Sequence, residues 1–73
     1  MALAPKYRRA LGDNIRAQRK RAGLSQEKLA EKAELHPVYI SAVERGVKTI
    51  SVDALWRIAQ AVGADIKDLF EGV

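Results

Sequence analysis

The stretch SQEKLAEKAELHPVYISAVERG, Ser25 to Gly46, constrains this chain more than any other, because it holds two short segments of helical period with stop and start signals between them. Ser25 can offer its hydroxyl oxygen to the unpaired N–H groups of a helix that carries Leu29, Ala30 and Ala33 on one face. Pro37 suits a first helical position, since its φ is already fixed and its missing N–H would have no partner there, so His36 falls at the N-cap. Ile40 and Val43 then lie three apart on the inward side, and Gly46 ends the segment. Two short helices joined by about three residues have the layout of a helix-turn-helix. Ala30 is small enough to let the two cross closely. Patterning alone fits an αα corner in any helical protein equally well.

The remaining chain follows the same period. It has no sustained two-residue alternation and no Asn-Gly or Asp-Gly hairpin turn, so it reads as all-α. A first helix is expected over 7–22, with Leu11, Ile15, Gln18 or Arg19, and Ala22 on one side and Gly23 as the stop. Its other sides carry Arg8, Arg9, Arg16, Lys20 and Arg21. Further helices are expected over 26–33, 37–45, 52–62 and 66–70. Ser51 caps the fourth, Asp53 sits near its positive end, and Leu55, Ile58, Ala59 and Val62 form its inner face with Trp56 packed beside them. Asp65 and Asp68 frame the last, which carries Ile66, Leu69 and Phe70. The result is one compact five-helix domain over 1–73, without linker or repeat.

A chain of 73 residues supports only a modest core, and without cysteine it has no disulfide or thiolate metal site to reinforce it. Tight helix packing, or pairing as a dimer, is the remedy. Residues 1–32 hold nine Lys or Arg against three Asp or Glu, a balance of +6, while residues 33–73 hold four against six, a balance of −2. Such asymmetry suits a surface that meets a polyanion, although a solvated helix face with its counterions reads the same way. No apolar run approaches the ~20 residues of a membrane span, and MALAPKYRR lacks the apolar region and cleavage site of a signal peptide. A cytoplasmic protein is the expectation. The lone His36, with no cluster of ligands around it, makes no metal site, and no Gly-rich phosphate loop or nucleophile elbow suggests an enzyme or a cofactor.

SQEKLAEKAELHPVYISAVERG followed by SVDALWRIAQAVG resembles the helix-turn-helix family of phage repressors and Cro proteins, whose fold is that of the lambda repressor. The likeness runs from about Leu11 to Phe70, and Gln26, Leu29, Ala30, Ile40, Ser41, Glu44 and Gly46 all agree in spacing. Within that family, LHPVYISAVERG is most similar to controller proteins of restriction-modification systems. The resemblance implies that Gln26 binds a DNA phosphate through its side chain or backbone amide, and that Arg19 and Glu44 form a partly buried pair holding the third helix. Pro37, Val38, Tyr39 and Ala42, flanked by Ser41, match the positions that approach base edges in the major groove. Arg45, Lys48 and Thr49 would reach DNA from beyond that helix.

Departures from the family pattern matter as well. Pro37, Val38 and Ala42 cannot form the bidentate hydrogen bonds worth about 1–3 kcal/mol of base discrimination. Methyl contacts, Tyr39 and groove shape would have to supply selectivity. Glu34 stands where many members place glycine; a left-handed backbone would cost glutamate about 1 kcal/mol, which a different turn conformation would avoid. By resemblance, Ile66, Leu69, Phe70 and Val73 lie at or near a homodimer interface, with Leu69 the one best suited to closing the monomer core instead. The implied function is a transcription regulator of bacterial or phage origin that binds double-stranded DNA as a dimer on a pseudo-palindromic operator. Occupancy near a promoter would block RNA polymerase or, through an acidic patch, assist it. No sensory segment is evident, so dose and dimerisation would control it. An antitoxin, or a protein-interaction module on the same fold, are the alternatives.

Overall fold

Ser25, His36 and Ser51 each start a helix by the same chemistry. The Ser25 hydroxyl accepts the Lys28 N–H at 3.0 Å, His36 Nδ1 accepts the Val38 N–H at 3.1 Å, and the Ser51 hydroxyl accepts the Ala54 N–H at 3.1 Å. The computed structural model describes residues 4–73, with side chains from Lys6 onward. Met1–Leu3, which the sequence includes in the single domain, lie outside the described residues. Five helices follow in order: α1 Ala4–Arg21, α2 Gln26–Ala33, α3 Pro37–Glu44, α4 Val52–Val62 and α5 Ile66–Leu69. The class is all-α, as the periodicity indicates.

Boundaries differ from expectation at four places, one of them the end of α1, which stops at Arg21 and not at residue 22. α1 begins at Ala4 and not at residue 7, since Pro5 lies in the first turn, where a missing N–H breaks no helical bond. α3 stops at Glu44, with Arg45 as its C-cap, and α5 stops at Leu69, with Phe70 as its C-cap.

Leu11 and Ile15 from α1, Leu29, Ala30 and Ala33 from α2, Ile40 and Val43 from α3, Leu55, Ile58 and Ala59 from α4, and Leu69 from α5 form one buried cluster. α2 packs on both α3 and α4, and α1 packs on α3, α4 and α5. Ala22 and Trp56 are corrections to the expected core. Ala22 is exposed because the chain leaves the helix at Arg21 and turns at Gly23. Trp56 is 56% exposed, lying one helical step round from the buried stripe of Leu55, Ile58 and Ala59.

The turn between α2 and α3 also corrects the expectation that glutamate favours another conformation. Glu34 adopts the left-handed region at φ 58°, ψ 46°, the one positive φ among the described non-glycine residues. The hydrogen bonds it secures explain why. Leu35 N–H donates to Ala30 O at 2.8 Å and Glu34 N–H to Glu31 O at 3.2 Å, closing the end of α2, while Arg57 donates to Glu34 O at 3.4 Å from α4. Those bonds satisfy carbonyls that the helix end would otherwise leave unpaired, and they offset the steric cost of the αL backbone.

Candidate nucleic-acid interface

α3 is short, and what it presents outward is set by what holds it inward. Ile40 and Val43 are buried at 0% and 2% exposure, while Val38, two positions before Ile40, is 68% exposed. Pro37, Tyr39, Ser41 and Ala42 are half-buried along the same helix, and Arg45, Lys48 and Thr49 are exposed just past it. His36, Val38, Tyr39, Ala42 and Lys48 together line an open cleft of about 400 Å³ on this outer side. The proline-led helix therefore offers an apolar middle edged by cations and hydroxyls. The Tyr39 hydroxyl accepts the Ser51 N–H at 3.3 Å, tying α3 to the start of α4 and leaving its own O–H to donate elsewhere.

Behind α3 lies a buried ionic junction. Arg19 Nε donates to Glu44 Oε2 at 2.6 Å and a terminal nitrogen of Arg19 donates to Glu44 Oε1 at 3.0 Å, a bidentate pair joining α1 to α3. The same guanidinium donates to Leu24 O at 2.9 Å, and Gln26 Nε2 donates to Glu44 Oε1 at 3.0 Å. Arg16 Nε stands 3.6 Å from that oxygen. Burial on its own pushes the Glu44 carboxyl up. The hydrogen bonds from Arg19 and Gln26, with the charges of Arg19 and Arg16, outweigh it and hold the group below the ordinary glutamate value.

This arrangement refines the sequence expectations. Arg19 and Glu44 do pair. Gln26 spends one side-chain hydrogen on Glu44, so its backbone amide at the first position of α2 and its second side-chain hydrogen are what it can offer a phosphate. Arg16, placed by periodicity only among the outer residues of α1, reaches the Glu44 oxygen that also receives Gln26, and its side chain is 45% exposed. Its grouping with Gln26 was not legible, because the two, ten residues apart on different helices, come together only through Glu44, once α1 and α2 both pack on α3.

Two further residues set the geometry and were missed. A Cβ on Gly12 would lie 2.5 Å from both Val43 O and Glu44 O, so glycine there lets α1 touch the backbone of α3. A glycine inside a helical pattern was the available signal. Asn14 Nδ2 donates to Leu69 O at 2.9 Å and Glu71 O at 2.8 Å, fastening the end of α5 to α1.

Leu69, expected by resemblance near a dimer interface, is 0% exposed and belongs to the monomer core. Its side chain points into the cluster because α5 lies flat on α1 and α4. Phe70 and Val73 are 44% and 46% exposed, and Ile66 is half-buried against the core. Tyr7 and Val52, at 46% and 81% exposure, line one cavity with Phe70.

Comparison with known proteins agrees with this geometry. Control protein C.BamHI of Bacillus amyloliquefaciens is 43% identical over 51 residues, which is 70% of this chain and 63% of that protein. Control protein C.SmaI of Serratia marcescens is 37% identical over 59 residues, 81% of this chain and 70% of that one. Thus the chain matches a little under two thirds of the length of C.BamHI. The crystal structure of the restriction-modification controller protein C.AhdI from Aeromonas hydrophila superposes with a TM-score of 0.84 at 33% identity, covering 86% of this chain and 96% of that one. The family pattern described as helix-turn-helix matches residues 15–69, from the middle of α1 to the end of α5, and the chain belongs to that family.

Proposed function

We propose that this protein is a sequence-specific DNA-binding transcription regulator, a homodimer on a pseudo-palindromic operator, of the kind represented by the control proteins it resembles. The observation that carries the reading is an exposed, proline-led α3 braced from behind by the Arg19–Glu44 pair and edged by Arg45, Lys48 and Thr49. α3 enters the major groove. Val38, Tyr39 and Ala42 meet base edges with Pro37 and Ser41 at their flanks, while Arg16, Gln26, Lys48 and Thr49 hold phosphates on either side.

Phe70, Val73 and Ile66 supply apolar surface for the second copy. A domain of 34 × 22 × 20 Å suits two copies whose reading helices stand one turn of B-DNA apart, roughly 34 Å. Occupancy beside a promoter would then obstruct or assist RNA polymerase in the cytoplasm. No catalytic step belongs to this reading. Among the described residues no helix is long and apolar enough to cross a membrane.

Selection of bound sites from random duplex DNA tests the proposal. A pseudo-palindrome with fixed half-site spacing is expected, with affinity that falls steeply as salt rises. Lys48→Ala should lower the salt slope by about one for each phosphate that the lysine neutralises. A flat salt response together with no enriched sequence would refute the reading.

A further inference from the structure

We propose that the cleft on the outer side of α3 seats the C5-methyl group of a pyrimidine, so that affinity depends on whether the base opposite the cleft carries that methyl. This inference rests on the DNA-binding function proposed above. Val38 is 68% exposed in the first turn of α3, and half-buried Ala42 stands one turn further along, yet neither side chain can give or take a hydrogen bond. Exposed apolar side chains on a surface that must desolvate against DNA need an apolar partner. In the major groove of B-DNA the C5-methyl group is the one apolar feature that a base pair presents. Thymine carries it always, and cytosine carries it when methylated.

The rest of the lining sharpens the choice. Beside Val38 and Ala42 the cleft is edged by His36, Tyr39 and Lys48, and it contains no carboxylate. Unmethylated cytosine shows only an N4 amino donor at this edge, which seeks an acceptor such as Asp or Glu and finds a lysine ammonium in its place. Thymine offers its methyl together with the O4 acceptor, which the Lys48 ammonium or the Tyr39 O–H can meet. 5-Methylcytosine offers the same methyl with the N4 donor of cytosine beside it, which the lysine ammonium does not complement, so its gain over cytosine comes from the methyl alone. The methyl is therefore the shared determinant, and the neighbouring polar atom decides between the two bases.

The test uses the full chain and the site obtained by selection, with each thymine replaced in turn by deoxyuridine. One position per half-site should respond, binding about fourfold more weakly when a single methyl is removed and roughly fifteenfold more weakly when both half-sites are changed. Val38→Ala should shrink that ratio to under about twofold; at an exposed position it should leave the helical fold intact, which circular dichroism checks. At the responsive position a cytosine·guanine pair should gain affinity on C5 methylation if the methyl alone is read. A uracil response without a methylcytosine response assigns the cleft to thymine. Selective, salt-dependent binding indifferent to uracil at every thymine and to C5 methylation at every cytosine would overturn the methyl seat while leaving DNA reading in place. Absence of selective binding would remove both.

Discussion

Replacing Glu44 with Gln keeps the side chain's size and much of its hydrogen bonding but deletes the one negative charge facing Arg19. The Glu44 side chain has no exposure and that of Arg19 only 11%, so water cannot substitute for the missing counter-charge. Breaking a buried pair from one side costs about 3–5 kcal/mol. A domain of this length holds roughly 4–11 kcal/mol in total, at about 0.05–0.15 kcal/mol per residue. Glu44→Gln should therefore remove about a quarter or more of the stability and lower Tm by roughly 12–40 °C, at about 4–8 °C per kcal/mol. Urea unfolding followed by helical circular dichroism measures the loss.

The paired variant Arg19→Met with Glu44→Leu separates charge from packing. Removing both charges and filling the space with apolar atoms is often neutral or stabilising, so the double variant should return to within about 1 kcal/mol of the starting protein. A single-variant cost below about 1 kcal/mol, or a double variant as damaged as Glu44→Gln, would refute the view that this junction is held by charge. The pH dependence carries a definite sign. Because the folded Glu44 carboxyl lies below its unfolded value, its stabilisation is complete above the ordinary glutamate range and is lost as pH falls through the folded value. Glu44→Gln should lack that acid-side component of the stability curve.

Gly12→Ala places a methyl 2.5 Å from two carbonyl oxygens of α3, and the resulting overpacking, about 1–3 kcal/mol, should exceed the ~1 kcal/mol gained in helix propensity. A Tm that rises would show that α1 and α3 separate freely. Glu34→Gly should raise unfolding free energy by about 1 kcal/mol, since glycine occupies the left-handed turn without the Cβ clash. A loss of stability in urea would mean that the Glu34 side chain contributes more than its strain costs. Phe70→Ala, at a position 44% exposed, should weaken self-association about tenfold by sedimentation while changing monomer stability less. Association at wild-type strength would take Phe70 out of the interface.

Local chemistry was readable from the chain because its causes lie within a few residues. Ser25, His36 and Ser51 cap helices where a serine or a residue before proline precedes an apolar period, and Gly23, Gly46 and Gly63 end them at positive φ. Leu11, Ile15, Leu29, Ile40, Val43, Leu55 and Ile58 fall inside because periodicity puts them on one stripe per helix. The pairing of Arg19 with Glu44 came from resemblance, and the structure supplies its bidentate form.

What the tertiary structure decided depends on how helices meet. Trp56 looks like a core residue by size, but α4 packs on α2 through the neighbouring stripe of Leu55, Ile58 and Ala59, which leaves Trp56 outside. Leu69 and Phe70 are adjacent and both apolar, and only the seating of α5, with Asn14 holding its end, puts one inside and the other at the surface. Glu34 takes a conformation its side chain disfavours because closing α2 and receiving Arg57 offset the strain. Sequence alone determined which segments are helical and which faces are apolar, since propensity, caps and period are short-range. The crossing of those helices determined which charges, glycines and carbonyls become neighbours, because pairings between residues 25 to 57 apart in the chain are set by packing geometry that no local pattern contains.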